Sequence, residues 1–122
     1  MGRLQMRLRR LFGSEPDQAN AGDAQVIQAL RAAGADLGQP REVVNFLYFP
    51  TEASVRAAIA RVDRDDRRVH VIIDPKTGKS SMKVTLTMQV SQSSIADLRR
   101  ELEAAARAGR GEYDGWEAAA TP

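Results

Sequence analysis

Apolar residues change period several times along this chain, and each change marks an element. From Ala24 onward Val26, Ile27 and Leu30 share one helical face, Asp23 stands where a capping side chain would accept free amides, and Gly34 closes the segment. After Pro40 the run REVVNFLYF (41–49) is apolar on both alternating sets, Val43, Leu47 and Phe49 against Val44, Phe46 and Tyr48, as in a strand with neighbours on both sides. Thr51 caps a second helix in which Val55, Ala58, Ile59 and Val62 recur at helical spacing. The charged turn RDDRR leads to a strand over residues 69–73, and Asp74-Pro-Lys-Thr-Gly78 reads as a hairpin turn with glycine available for positive φ. In the next strand Met82, Val84, Leu86, Met88 and Val90 alternate with Lys83, Thr85, Thr87 and Gln89, one face buried and the other polar. Ser94 and Asp97 suggest the cap of a third helix, with Ile95, Leu98, Leu102 and Ala105 on its apolar face and its end near Gly109. Residues 112–118 (EYDGWEA) complete the pattern as a last strand, in which Gly115 marks a bend or a close backbone approach.

Leaving the first helix aside, the order is β-α-β-β-α-β. That order predicts an α+β, ferredoxin-like sandwich, a four-stranded antiparallel sheet with both helices on one face and an extra N-terminal helix. The polar side of the 82–90 strand would then face solvent unless the extra helix covers it. Ahead of the domain, residues 1–12 (MGRLQMRLRRLF) place Leu4, Leu8 and Leu11 at helical spacing against four arginines, a basic amphipathic arm. Residues 13–22 (GSEPDQANAG) read as a flexible linker, residues 23–118 as the folded domain and residues 119–122 as a short tail.

Composition narrows the function. A chain of 122 residues with 43% hydrophobic content suits one domain with one modest core. The absence of cysteine removes disulfides, thiolate nucleophiles and cysteine-containing zinc sites, and fits a reducing compartment, so a cytoplasmic location is expected. No apolar run approaches the roughly 20 residues of a membrane span. The net charge of +2 conceals an asymmetry: Arg3, Arg7, Arg9 and Arg10 precede the first acid, which leaves fourteen basic against sixteen acidic residues in the rest. Such a body is no obvious nucleic-acid binder by charge.

Candidate chemistry is sparse. Gly78-Lys79-Ser80 resembles the end of a phosphate-binding loop, but Ile73 stands where the first glycine belongs, and a strand follows where a helix should open. His70 is the only histidine, too few for a metal site, and no serine stands on a turn to make a triad with it and Asp74. Asp65 and Asp66 lie in a charged turn. RNA binding on the open sheet face would want aromatics on both central strands, and the 82–90 strand has none, although Phe46 and Tyr48 stand on the other. No cofactor, metal or catalytic set is expected. The informative segment is Tyr113-Asp114-Gly115-Trp116, with the only tryptophan, which serves either as packing for the sheet or as a partner-binding anchor.

This YDGW segment, following an alanine-rich helix and a glycine-containing turn, is similar to the C-terminal signature of the regulator of ribonuclease activity B family, the ribonuclease E inhibitors. The opening helix, the NFLYF strand and the helix after it, with Ala53, Ala57 and Ala58, also resemble that family. The resemblance implies a ferredoxin-like fold, no cofactor, no catalysis, and docking on a protein partner of the ribonuclease E type to restrain RNA decay. By position it carries Tyr113, Asp114, Gly115 and Trp116 as the expected partner-binding residues. The alternatives are a ferredoxin-like interaction module for a different protein, and a weak RNA-binding domain using the basic N-terminus with Arg67, Arg68 and Lys83.

Overall fold

A computed structural model describes residues 3–6 and 16–120. Its elements run β1 (Arg3–Met6), α1 (Pro16–Ala32), β2 (Arg41–Phe49), α2 (Glu52–Val62), β3 (Arg67–Ile73), β4 (Ser80–Met88), α3 (Gln92–Ala108) and β5 (Glu112–Ala119). The strands form one antiparallel sheet in the order β1-β5-β2-β4-β3. Its four strands β5-β2-β4-β3 have the ferredoxin-like arrangement expected from the element order, and β1 adds a short fifth strand outside β5.

The doubly apolar pattern of β2 has the predicted consequence, for it pairs with β4 on one side and β5 on the other. Val43, Leu47 and Phe49 face the main core, joined there by Met82 and Val84 of β4. Thr51 caps α2 by accepting the Ser54 amide at 3.0 Å, and Val55, Ala58 and Val62 are buried beneath it. From α3 come Ile95, Leu98, Leu102, Ala105 and Ala106. Val26, Ile27 and Leu30 of α1 belong to the same core cluster, and α1 packs against α3. The extra helix therefore joins the other two on the core side and leaves the opposite sheet face to the side chains of the strands. No described helix is long and apolar enough to cross a membrane.

The structure corrects several local expectations. The first helix begins at Pro16, so residues expected as linker are helical from that point; proline is well suited to the first helical turn, where its missing N–H costs no bond. Asp23 accordingly lies within α1 and is not its cap. Residues 3–6, expected within a helical arm, form a strand instead, because the outer edge of β5 offers a hydrogen-bonding ladder that a four-residue segment can join. Residues 1–2 and 7–12 of that arm, and 13–15 of the expected linker, lie outside the described residues. On α3 the capping box is formed by Ser91 and Ser94, not Ser94 and Asp97: Ser91 Oγ accepts the Ser94 amide at 3.1 Å and Ser94 Oγ accepts the Ser91 amide at 2.9 Å. Finally, β4 ends at Met88, although Val90 beyond it is still buried in the core.

Candidate functional site

The site begins with an irregularity in β5. Residues three apart on a regular strand point to opposite faces, yet Tyr113 and Trp116 both enter the main core. The register between β5 and β2 shifts at Asn45/Leu47, and Gly115 sits at φ +103°, in the left-handed region that glycine occupies without strain. The bulge thereby turns both rings of the YDGW segment inward.

Trp116 is 0% exposed and Tyr113 only 3%, so these side chains are interior groups of the fold. Both carry a polar atom that needs a partner when buried. The Trp116 indole N–H donates to Asp23 Oδ1 at 3.0 Å. Asp23, 3% exposed, also holds the Arg99 guanidinium as a fork: Nε donates to Oδ2 at 2.9 Å, and a second guanidinium nitrogen donates to Oδ1. Arg99 in turn lies over the Tyr113 ring, its guanidinium carbon 5.1 Å from the ring centre. The Tyr113 hydroxyl donates to Asn45 Oδ1 at 2.8 Å, and Asn45 Nδ2 donates to the Val84 carbonyl at 3.1 Å. One connected set of buried polar groups thus ties α1, α3, β5, β2 and β4 together.

The electrostatics follow from that packing. Burial works against the Arg99 charge, but the hydrogen bond and charge of Asp23 outweigh it, and the guanidinium is held above its ordinary pKa. Burial pushes the Tyr113 phenol well above its ordinary value. A second ion pair lies two residues further along α3, where Arg67 of β3 grips Glu101, one bond being 2.8 Å. The hydrogen bond from Arg67 holds Glu101 below the usual carboxylate range, and the bond to Glu101 raises Arg67.

The turn between α3 and β5 has its own logic. The Gly111 amide donates to Ala106 O at 2.8 Å and the Arg110 amide to Arg107 O at 3.1 Å, a Schellman closure in which Arg110 takes the left-handed position at φ +57°. Glycine is required instead on either side. A β-carbon at Gly109 would collide with the Ser54 carbonyl oxygen, and one at Gly111 with the Tyr48 carbonyl oxygen and the Phe49 ring.

Of the other residues singled out from the sequence, His70 is exposed on β3, and Asp65 and Asp66 are exposed in the turn before it. Gly78 closes the β3–β4 hairpin at φ +78°, its amide bonded to Asp74 O at 2.8 Å. Among the described residues no three histidine or carboxylate side chains converge as metal ligands would. Asp23, Asn45 and Arg99 are the members of the site that sequence reasoning missed. The available signal was Arg99 itself, which falls between Ile95 and Leu102 on the apolar stripe of α3, where an unpaired charge would be costly.

No curated protein matches the chain at significant similarity. A match to the family described as regulator of ribonuclease activity B (RraB) covers residues 20–118, which takes in every element from α1 to β5 that builds the network. The bulged YDGW strand, the helix that supports it and the sheet between them are thus parts of one matched domain, and the chain belongs to the RraB family.

Proposed function

We propose that this protein is a non-catalytic regulator that docks on an endoribonuclease of the ribonuclease E type and slows RNA decay. The family match is the observation that carries the reading: the family is described by its regulation of ribonuclease activity, and a domain of this size regulates an enzyme by binding it. The use of its polar groups agrees with that. Asp23, Asn45, Arg99 and Tyr113 are buried and bonded to one another, which withholds them from substrate, and an enzyme needs polar groups converging on an accessible pocket.

In this reading Tyr113, Asp114, Gly115 and Trp116 act on the partner as a frame. Tyr113 and Trp116 lock β5 beneath α3, and the turn joining those two elements comes to the surface beside Tyr48 of β2. A cytoplasmic location accords with such a target. The nucleic-acid reading has less support: the open-face residues of β4 are Ser81, Lys83, Thr85 and Thr87, with no aromatic on which a base would stack.

The test is capture of ribonuclease E from nuclease-treated lysate by the tagged chain, followed by an RNA-cleavage assay with the purified pair. Capture with slowed cleavage is expected. Absence of both at low salt would discard ribonuclease E as the target and leave a different protein partner as the better reading.

A further inference from the structure

The open face of the sheet carries a patch whose layout follows from strand register. Ser81 of β4 lies between Ile72 of β3 on one side and Tyr48 of β2 on the other. Strand spacing sets Tyr48 and Ile72 about 10 Å apart across the small serine. Both are exposed, Ile72 by 58% and Tyr48 by 37%, and they are the exposed large hydrophobic residues among those described. Along the chain direction Lys79 and Lys83 stand two residues either side of Ser81, both exposed. The centre is small, its flanks are apolar, and its two ends are cationic.

A hollow of about 310 Å³ continues the patch, lined by Tyr48, Phe49, Pro50, Lys79, Arg110, Gly111 and Glu112. Its floor is largely apolar and Lys79 and Arg110 supply cations at its rim. A smaller hollow of about 150 Å³ on the other side of Tyr48 is lined by Lys83, Ser81 and Phe46, among others. None of Lys79, Lys83 and Arg110 takes part in an ion pair, unlike Arg56 with Glu52, Arg68 with Glu42 and Arg100 with Asp97. The acid at this margin is Glu112, opposite Tyr48 on β5. Asp74, in the adjoining hairpin, has its carboxylate engaged by the Lys76 amide, which holds it below its usual pKa. Three cations against two nearby carboxylates, Glu112 and the still charged Asp74, leave a small local positive excess, on a body whose remaining residues are slightly acidic.

We propose that this patch is the docking surface for an extended acidic segment of the partner protein, an apolar side chain seated over Ser81 between Tyr48 and Ile72 and carboxylates directed to Lys79, Arg110 and Lys83. The proposal rests on the reading of the chain as a protein-binding regulator and names the chemistry of what it binds. Three features converge on it. The apolar pair is spaced for one inserted side chain. No ion pair holds these cations, although Lys83 also lies over the Phe46 ring at 5.8 Å, and they bracket that pair, the complementary arrangement to acids flanking an apolar residue. Among the described residues Arg110 is the non-glycine residue held at positive φ, presented outward by a turn whose flanking glycines have no room for a side chain.

The experiment uses the full chain alone, so its outcome is independent of whether ribonuclease E is the target. A fluorescein-labelled peptide of alternating leucine and glutamate, its leucine–lysine counterpart and a single-stranded RNA oligonucleotide are titrated with the protein and followed by anisotropy. The acidic peptide is expected to bind and the basic one not to. Lys79→Glu combined with Arg110→Glu should weaken the acidic peptide about tenfold or more, and Tyr48→Ala should weaken it too, both with an unchanged circular dichroism spectrum. No binding of the acidic peptide, or binding indifferent to these substitutions, overturns the proposal. RNA binding that the same substitutions abolish, without peptide binding, overturns it in favour of a nucleic-acid surface.

Discussion

Trp116 and Tyr48 stand on adjacent strands and are used in opposite ways. Trp116 is 0% exposed, its indole nitrogen bonded to a carboxylate that is itself buried, while Tyr48 keeps 37% of its surface in solvent beside cations that lack ion-pair partners. On β5 every polar group of the network is tied to another element, so a change there propagates to α1, α3 and β2. On the open face the polar groups point outward, and the Glu42–Arg68 pair that spans it is exposed on both sides. Conspicuous residues in a sequence mark where a fold cannot tolerate change; a binding surface is assembled from ordinary ones that the sheet brings side by side.

That contrast makes its largest prediction at Asp23. Asp23→Ala removes at once the partner of a buried guanidinium and the acceptor of a buried indole N–H, and should cost about 3–5 kcal/mol in denaturant unfolding. A loss below about 1 kcal/mol would mean that the network does not hold α1 and α3 to the sheet. Trp116→Phe comes next, at about 1–3 kcal/mol, since it retains an aromatic ring but gives up the N–H and part of the volume. Combined with Asp23→Ala it should cost less than the sum of the two, because both changes break the same bond; strict additivity would disconnect Trp116 from Asp23 energetically.

How much of this was legible beforehand depends on the distance over which each feature is decided. β2 was readable because its two apolar faces report two neighbours locally, β4 because its alternation reports one buried face, and α2 because Thr51 and its stripe lie within a few residues of each other. Asp23 was misread as a cap, since a carboxylate ahead of an apolar run has that meaning locally. Its actual partners, Arg99 and Trp116, stand 76 and 93 residues away. The bulge at Asn45/Leu47 was hidden for a similar reason: register is a property of two strands, and only Gly115 hinted at it. YDGW pointed to the right strand and the right family. It did not reveal that Tyr113 and Trp116 would face the same way. β1 is too short a segment to announce itself through periodicity.

A smaller effect belongs to the second ion pair, which lies between the two extremes because Arg67 is buried and Glu101 partly exposed. Glu101→Gln should destabilise the protein by about 1–2 kcal/mol at neutral pH, chiefly through the buried guanidinium left without its counter-charge. The sign of its pH dependence follows from the lowered pKa of Glu101. A carboxylate depressed in the folded state contributes stability above its unfolded value, about 4.3, and loses it as the pH falls through the folded value. Wild type and variant should therefore converge in acid, and a gap that persisted or widened below that range would assign the bond a different role.

The smallest effect carries the opposite sign. Arg110 occupies the left-handed position of the Schellman turn at φ +57°, where a side chain costs about 1 kcal/mol relative to glycine and where glycine's greater freedom in the unfolded chain takes back part of the gain. Arg110→Gly should accordingly stabilise the protein slightly, by no more than about 1 kcal/mol, and because Arg110 is exposed and makes no ion pair, there is little packing to lose. The same substitution removes one of the cations that define the docking patch, so binding of the acidic peptide should fall while the melting temperature rises. Opposite movements of those two readings would identify Arg110 as a residue kept for binding at a cost in stability. A fall in both would instead make it part of the turn's support, and the division between a β5 side that holds the fold and an open face that meets a partner would have to be redrawn at that corner.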